Sequence, residues 1–147
     1  MTNNEIKTLA GFRLALREFQ FFSEQTAEAR GLTTQQYQAL LAIKGEGEGV
    51  PFTVSLLAKR LLIKHNSAVG LVDRMEQLGL VVRRPSEHDR RSVVICITPR
   101  GESVFKRLAR AHRRELQRIA PELGRHVRVL ARPAEADKAE PGAQGRR

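Results

Sequence analysis

Apolar residues recur along the first part of the chain with the period of an amphipathic helix. Between residues 5 and 30 they form one stripe of Leu9, Phe12, Leu16 and Phe19. This spacing predicts a helix, and Gly31 is placed to end it. A second helix is predicted after Thr33 or Thr34, since either residue can cap it. Residues 45–51 alternate glycine with glutamate and are expected to form a connecting loop.

Two closely spaced helices are predicted next. Thr53 can cap a short helix whose apolar positions have the spacing of two turns. A tight turn at residues 63–65 leads into a longer helix, and Gly79 suits its carboxyl end. A short helix, a turn and a longer helix in this order are typical of a helix-turn-helix.

A β-hairpin and a further helical region complete the pattern. Residues 80–84 and 92–98 are short and β-branched and flank a polar loop, so they predict two strands with a projecting connection. Thr98 can cap the following helix, with Pro99 at its first position. Pro121 is expected to interrupt that helix, and the apolar spacing after it predicts one more short helix.

Composition narrows the partners of this helical domain. The 147 residues carry a net charge of +10, which attracts nucleic acid, an anionic membrane surface or an acidic protein. Cys96 is the only cysteine, so no disulfide forms within the chain, as expected in a reducing compartment. The sequence shows no segment typical of a signal peptide or a transmembrane helix. We therefore expect a cytoplasmic protein that does not bind membranes.

The two segments best suited to DNA are the longer helix of the helix-turn-helix and the hairpin. The first turn of such a helix meets base edges in the major groove, which short polar side chains can read. Arginine on a narrow projection suits the minor groove. Each segment also has a simpler explanation, because a solvated helix face is polar and charges on a hairpin keep its edges soluble. The candidate DNA-binding residues are Thr53, Lys64, His65, Asn66, Ser67, Gly70, Arg74, Arg83, Arg84, Arg90 and Arg91.

Three sequence segments resemble the MarR (multiple antibiotic resistance regulator) family over about residues 5–130. They are Leu71-Val72-Asp73-Arg74-Met75-Glu76-Gln77-Leu78-Gly79-Leu80-Val81, Asp89-Arg90-Arg91-Ser92 and Ile97-Thr98-Pro99-Arg100-Gly101. The resemblance implies a mainly α winged helix-turn-helix with a small β-hairpin wing. It also implies a homodimer that binds a pseudo-palindromic site in double-stranded DNA. Such a protein is a sequence-specific transcriptional regulator, more often a repressor than an activator.

The resemblance also implies roles for particular residues. Arg91 matches the arginine expected to enter the minor groove, and Asp89 the acid expected to brace the wing or hold an arginine. Asp73 matches an acid that pairs with the wing arginine, so an Asp73–Arg91 pair is expected. Thr53, at a helix N-terminus, is expected to donate to a phosphate.

The resemblance divides the chain into regions. Residues 1–131 are expected to form one domain, with the DNA-binding lobe at about 33–100 and dimerisation helices at 5–30 and 101–131. Residues 132–147 lack large apolar side chains and are expected to be a disordered tail. Residues 100–128 contain nine lysines and arginines against three acids, so we expect this face to meet solvent or DNA phosphates.

Family members often respond to a small anionic or phenolic effector, and a candidate cleft is formed by Phe19, Phe22, Tyr37 and His112. The simpler interpretation is that these aromatic residues belong to the core. Cys96 lies among apolar residues in a predicted strand and is expected to be inert. The four histidines lack metal-ligand spacing, so no metal or cofactor is expected.

Other classes of function are weaker. The sequence has no nucleophile elbow, phosphate-binding loop or dinucleotide fingerprint, so we do not expect an enzyme. The alternative from another class is a basic helical adaptor that binds an acidic protein without sequence-specific DNA binding. A sequence-specific shift with duplex DNA distinguishes the two.

Overall fold

The computed structural model describes residues 1–133, and the order of its elements follows the predicted order closely. The elements are α1 (Asn3–Glu28), α2 (Thr34–Glu46), α3 (Val54–Leu61), α4 (His65–Gln77), β1 (Val81–Pro85), β2 (Val93–Ile97) and α5 (Pro99–Leu130). A mainly helical fold with one hairpin was expected and is found. The predicted disordered tail lies, from residue 134 onward, outside the described residues.

Threonine side chains fix where four of these helices begin. The hydroxyl oxygens of Thr2, Thr33, Thr53 and Thr98 each accept a hydrogen bond from the backbone N–H three residues later. Such a bond satisfies one of the donors that the first turn of a helix leaves unpaired. Thr33 rather than Thr34 caps α2, and the Gln36 side chain completes a capping box.

The end of α4 turns the chain directly into the hairpin. Gly79 has a positive φ of 71°, which residues with a side chain rarely adopt. The Leu80 N–H donates to the Met75 carbonyl at 3.0 Å, and the Gly79 N–H donates to the Glu76 carbonyl at 2.9 Å. This pair of bonds is the Schellman motif. As a result β1 begins within a few residues of the last turn of α4.

Helix α5 corrects one expectation, because it continues through Pro121 to Leu130 as a single helix. Proline lacks an N–H and crowds the preceding turn, and inside a helix it costs about 3 kcal/mol. Here Pro121 lies on the exposed face of α5. Packing against α1 supports the helix on both sides of it, at Ser23–His112 and at Gly11–His126. The separate short helix predicted after Pro121 was therefore wrong.

The hydrophobic core joins the helix-turn-helix, the hairpin and α5. Its fully buried larger side chains are Leu40, Leu57, Leu71, Val72, Met75, Leu80, Val81 and Leu108. The two strands pair antiparallel, from Val81 opposite Ile97 to Pro85 opposite Val93. The Ile95 N–H also donates to the Phe52 carbonyl at 2.8 Å, which ties β2 to the segment before α3. The hairpin is thus fixed to the lobe that carries α4.

Candidate nucleic-acid interface

Among the five helices of residues 1–133, only α4 begins without a side-chain cap. Lys64 precedes the helix and provides no side-chain cap. Lys64, His65, Asn66 and Ser67 are all exposed. The first-turn N–H groups of a helix carry partial positive charge and attract anions. This turn therefore offers backbone donors together with four polar side chains.

Gly70 and Arg74 extend this surface along α4. Gly70 is half-buried and Arg74 is exposed. A Cβ atom at Gly70 would lie 3.4 Å from Nη1 of Arg74, so the guanidinium lies back over the glycine. Because Gly70 has no side chain, the arginine can extend toward the open first turn of α4.

The loop between β1 and β2, together with these strands, forms the wing, and Asp89 shapes its tip. Oδ1 of Asp89 accepts from the Arg91 N–H at 3.0 Å, and Oδ2 accepts from the Ser92 hydroxyl at 3.4 Å. The Ser86 N–H donates to the Ser92 carbonyl at 2.8 Å and closes the loop. Arg84, Arg90 and Arg91 are left exposed. The carboxylate thus holds the tip while the arginine side chains project.

The expected Asp73–Arg91 pair is not formed, because Asp73 contacts Arg83. Nη2 of Arg83 lies 2.8 Å from Oδ1 of Asp73, and Nη1 lies 2.6 Å from Oε1 of Glu76. Asp73 and Glu76 are three residues apart and lie on neighbouring positions of α4. Arg83 stands on β1 beside them, whereas Arg91 lies beyond the strands at the wing tip.

These contacts also change the role expected of Arg83. Partial burial lowers the pKa of Arg83, but the hydrogen bonds and charges of Glu76 and Asp73 outweigh it, so the pKa is raised. Two carboxylates thus surround one guanidinium, and Arg83 links the wing to α4 through both ion pairs. The spacing of the two acids on α4 was visible in the sequence, but their partner was not.

This anchor can be measured with a double-mutant cycle. We expect D73N and R83M to show a coupling of about 0.5–1 kcal/mol in the free energy of unfolding by urea, the range of partly exposed ion pairs. D73N and R91A should show no coupling, because the two side chains do not pair. Coupling of Asp73 to Arg91 rather than to Arg83 would show that Asp73 pairs with Arg91, as the sequence predicted.

The Thr98–Gly101 turn joins the helix-turn-helix, the wing and α5 at one point. The Thr98 hydroxyl donates to the Gly79 carbonyl at 2.5 Å and accepts from the Gly101 N–H at 3.0 Å. The Thr98 N–H donates to the Leu80 carbonyl at 3.0 Å. A Cβ atom on buried Gly101 would lie only 2.1 Å from that carbonyl oxygen. The turn therefore requires both the threonine hydroxyl and the absence of a side chain at residue 101.

The aromatic residues proposed for an effector cleft do come together. The His112 ring stacks on Tyr37 with centroids 4.2 Å apart, and it meets Phe19 and Phe22 edge-on at 5.9 Å and 5.6 Å. Tyr37 and His112 are each 5% exposed, and burial raises the pKa of Tyr37. The rings thus pack on one another between α1, α2 and α5, as the core interpretation describes.

Both nitrogens of the His112 ring have partners. Nδ1 lies 2.7 Å from the Leu108 carbonyl, which can only accept, so Nδ1 carries a hydrogen. Nε2 lies 2.8 Å from the buried Ser23 hydroxyl. In the neutral ring Nε2 then accepts from Ser23. His112 therefore links α1 to α5 inside the aromatic cluster.

Three further expectations concern the cysteine, a metal site and a membrane-spanning helix. Cys96 is a partly buried free thiol on β2, opposite Val82. Across residues 1–133 no three or more His, Cys, Asp or Glu side chains gather where they could hold a metal ion. In the same part of the chain no helix is both long and apolar enough to cross a membrane.

Comparison with known families and curated proteins identifies relatives of this fold. Residues 30–92 match the model of the MarR family. BadR of Rhodopseudomonas palustris, described as a transcriptional activatory protein, is 38% identical over 85 residues, which are 58% of this chain and 49% of BadR. The HTH-type transcriptional regulator YfiV of Bacillus subtilis is 31% identical over 117 residues, covering 74% of this chain and 71% of YfiV. The chain thus spans about half the length of BadR and most of YfiV.

Solved structures share the fold at lower identity. A MarR family protein from Bacillus stearothermophilus superposes with a TM-score of 0.70 at 24% identity, over 88% of this chain and 93% of that one. A point mutant of S. aureus MepR, bound to an oligodeoxyribonucleotide, gives a TM-score of 0.64 at 19% identity, over 80% of this chain and 88% of that one. Bordetella bronchiseptica BpsR, whose DNA binding is regulated by 6-hydroxynicotinic acid, gives a TM-score of 0.63 at 22% identity, over 85% of this chain and 91% of that one.

Proposed function

The chain belongs to the MarR family of DNA-binding transcriptional regulators, and from this premise we propose that it reads a pseudo-palindromic operator with α4 and the wing. Members of this family are regulators of transcription and not enzymes. One observation carries the proposal: an uncapped, polar first turn of α4 and three exposed wing arginines stand on one packed lobe. The Arg83 anchor holds the two parts together. Each part alone has a simpler explanation, but the connected arrangement favours DNA.

In the proposed complex α4 enters the major groove and the wing enters the adjacent minor groove. His65, Asn66 and Ser67 face base edges, and Arg74 supports them from the next turns. Arg91 enters the minor groove, where negative potential is concentrated, and Arg84 and Arg90 contact phosphates. The Thr53 hydroxyl already accepts from the Leu56 N–H, which leaves its own hydrogen to donate to a phosphate. Asp89 supports the wing tip and makes no contact with DNA.

Apolar side chains exposed on the two long helices support a homodimer. On α1 and α5 they are Ile6, Leu9, Leu14, Leu16, Phe21, Leu116 and Val127. Exposed apolar surface of this extent on neighbouring helices is typical of an interface. We infer that α1 and α5 form the dimer and that about residues 33–100 form the DNA-binding lobe. Two-fold symmetry then requires two half-sites about one helical turn of DNA apart.

The aromatic cluster is the place we propose for effector control. It lies between the dimerisation helices α1 and α5 and the start of the DNA-binding lobe at α2. A small anionic or phenolic molecule that displaces the Tyr37–His112 stack would change how the lobe sits on these helices. We propose repression, which occurs where the operator overlaps a promoter. Binding upstream of a promoter would instead give activation, the role described for BadR.

In vitro selection from a random duplex pool tests the proposed function. We expect an enriched inverted repeat and one dimer bound per site. Sedimentation of the free protein should show the dimer before DNA is added. Enrichment of no sequence, with binding to polyglutamate instead, would favour the basic adaptor that binds an acidic protein.

A further inference from the structure

Helix α5 carries a group of arginines that the proposed operator contacts do not use. Arg107, Arg110, Arg113 and Arg114 are all exposed, and we refer to them as the arginine face. They lie within about two turns, over roughly 10 Å of helix. Three of them, with Gln117, surround a surface hollow of about 340 Å³.

The arginine face lacks the carboxylates that would normally balance it. The acids on α5 are engaged elsewhere: Glu102 with Lys44 and Lys106, Glu115 with Arg118, and Glu122 with Arg125. Within residues 1–133 none of the four arginines forms an ion pair. Like charges three and four residues apart destabilise a helix. A polyanion placed on the face would remove this repulsion.

Most of the face is also separate from the proposed dimer surface. At 3.6 residues per turn, Arg107, Arg110 and Arg114 lie about 120–180° around α5 from Leu116, which belongs to the exposed apolar surface, whereas Arg113 lies about 60° away and borders it. The same helix begins at the Thr98 turn at the base of the wing. Arg107 lies about 12 Å along α5 from Pro99, so flanking DNA would contact the face where it runs beside this helix.

We propose that the arginine face binds backbone phosphates of DNA flanking the operator, as a second contact that does not read sequence. Guanidinium groups pair well with phosphate oxygens. One DNA strand places a phosphate about every 3.4 Å along the axis while it winds around the duplex, so a straight face of about 10 Å meets about two of them. An open, straight face suits a strand of phosphates better than a single small ligand, which needs enclosure. The proposal rests on the proposed function, since α4 and the wing bring the duplex to the protein.

The test compares two duplexes with the same central site, one of ~20 bp that covers two half-sites and one of ~40 bp with flanks. The variant is R110Q/R113Q/R114Q. The control R30Q/K59Q/R132Q removes the same charge from exposed positions outside α1, α5 and the proposed operator contacts. Circular dichroism and thermal unfolding confirm that both variants fold. Fluorescence anisotropy across a salt series gives the affinity and its salt dependence.

We expect the wild type and the control to bind the longer duplex more tightly and with a steeper salt dependence. In R110Q/R113Q/R114Q the salt slope on the longer duplex should fall by about 2, since each lost phosphate contact removes about 0.9. Affinity for the shorter duplex should change less than affinity for the longer duplex. Hydroxyl-radical footprints should shrink at their outer edges.

An unchanged length dependence in the triple variant would overturn the proposal. If that variant has also lost binding to polyglutamate, the face is assigned to an acidic protein instead. Scrambling the central site separates this proposal from the function it rests on. If scrambling leaves affinity unchanged while the length dependence is present, operator reading fails and the arginine face stands.

Discussion

Replacing Gly101 with alanine is expected to destabilise the fold by about 2–4 kcal/mol, in the upper range for overpacking. The new Cβ would lie 2.1 Å from the Leu80 carbonyl oxygen and 2.9 Å from Cγ2 of Ile97. Neither neighbour can move easily, because the Leu80 carbonyl also accepts from Thr98 and Ile97 pairs with Val81. Urea unfolding followed by circular dichroism measures the loss.

The same substitution at Gly45 is the matched control. Gly45 lies in α2, its φ is not positive, and a Cβ there meets nothing within 4 Å. G45A should therefore raise the free energy of unfolding by about 0.5–1 kcal/mol, the helix preference of alanine over glycine. Equal effects of G45A and G101A would show that α5 does not approach Leu80 as closely as described. We also expect G101A to weaken DNA binding, since the turn fixes the wing beside α4.

Replacing Arg91 with alanine is expected to weaken binding to the selected operator by about 1–3 kcal/mol, roughly 5- to 150-fold. The reason is that Arg91 is exposed at the wing tip while Asp89 holds its backbone through the N–H. The substitution removes the side chain and leaves this backbone contact in place, so the wing keeps its shape. Fluorescence anisotropy with a labelled operator measures the change.

R30A is the control for Arg91, because Arg30 is an exposed arginine in the turn after α1. It removes the same charge at a position outside the proposed interface and should change affinity by much less. An R91A protein with wild-type affinity, or R30A with an equal loss, would mean that net charge rather than the wing position drives binding. Unfolding curves for both variants should match that of the wild type.

Much of the fold could be predicted because local signals in the sequence agree with one another. Thr33, Thr53 and Thr98 at three helix starts and Gly79 after α4 gave boundaries that the structure reproduces closely. Pro121 was misread because its cost in a helix is local, whereas the packing of α5 against α1 that offsets it is not. Contacts far apart in sequence carry no periodic signal.

The same limit applies to the candidate site. Exposed polar residues in the first turn of α4 and on the wing followed from the pattern of the sequence. The ion-pair partners of Asp73 and Glu76 could not be predicted, because the sequence offers several arginines in the wing that could reach them. In the sequence, Gly101 stood out only as part of a motif that resembles the MarR family. The Leu80 carbonyl beside it supplies the physical reason for that motif.

The central claim is that α4 and the wing read a DNA sequence, and the ratio of two affinities tests it most directly. Binding is measured at physiological salt to the selected operator and to a scrambled duplex of the same length and composition. We predict that the operator binds at least about 10³-fold more tightly, the lower end of the range for specific regulators. A ratio near one, with the same salt dependence on both duplexes, would contradict the account.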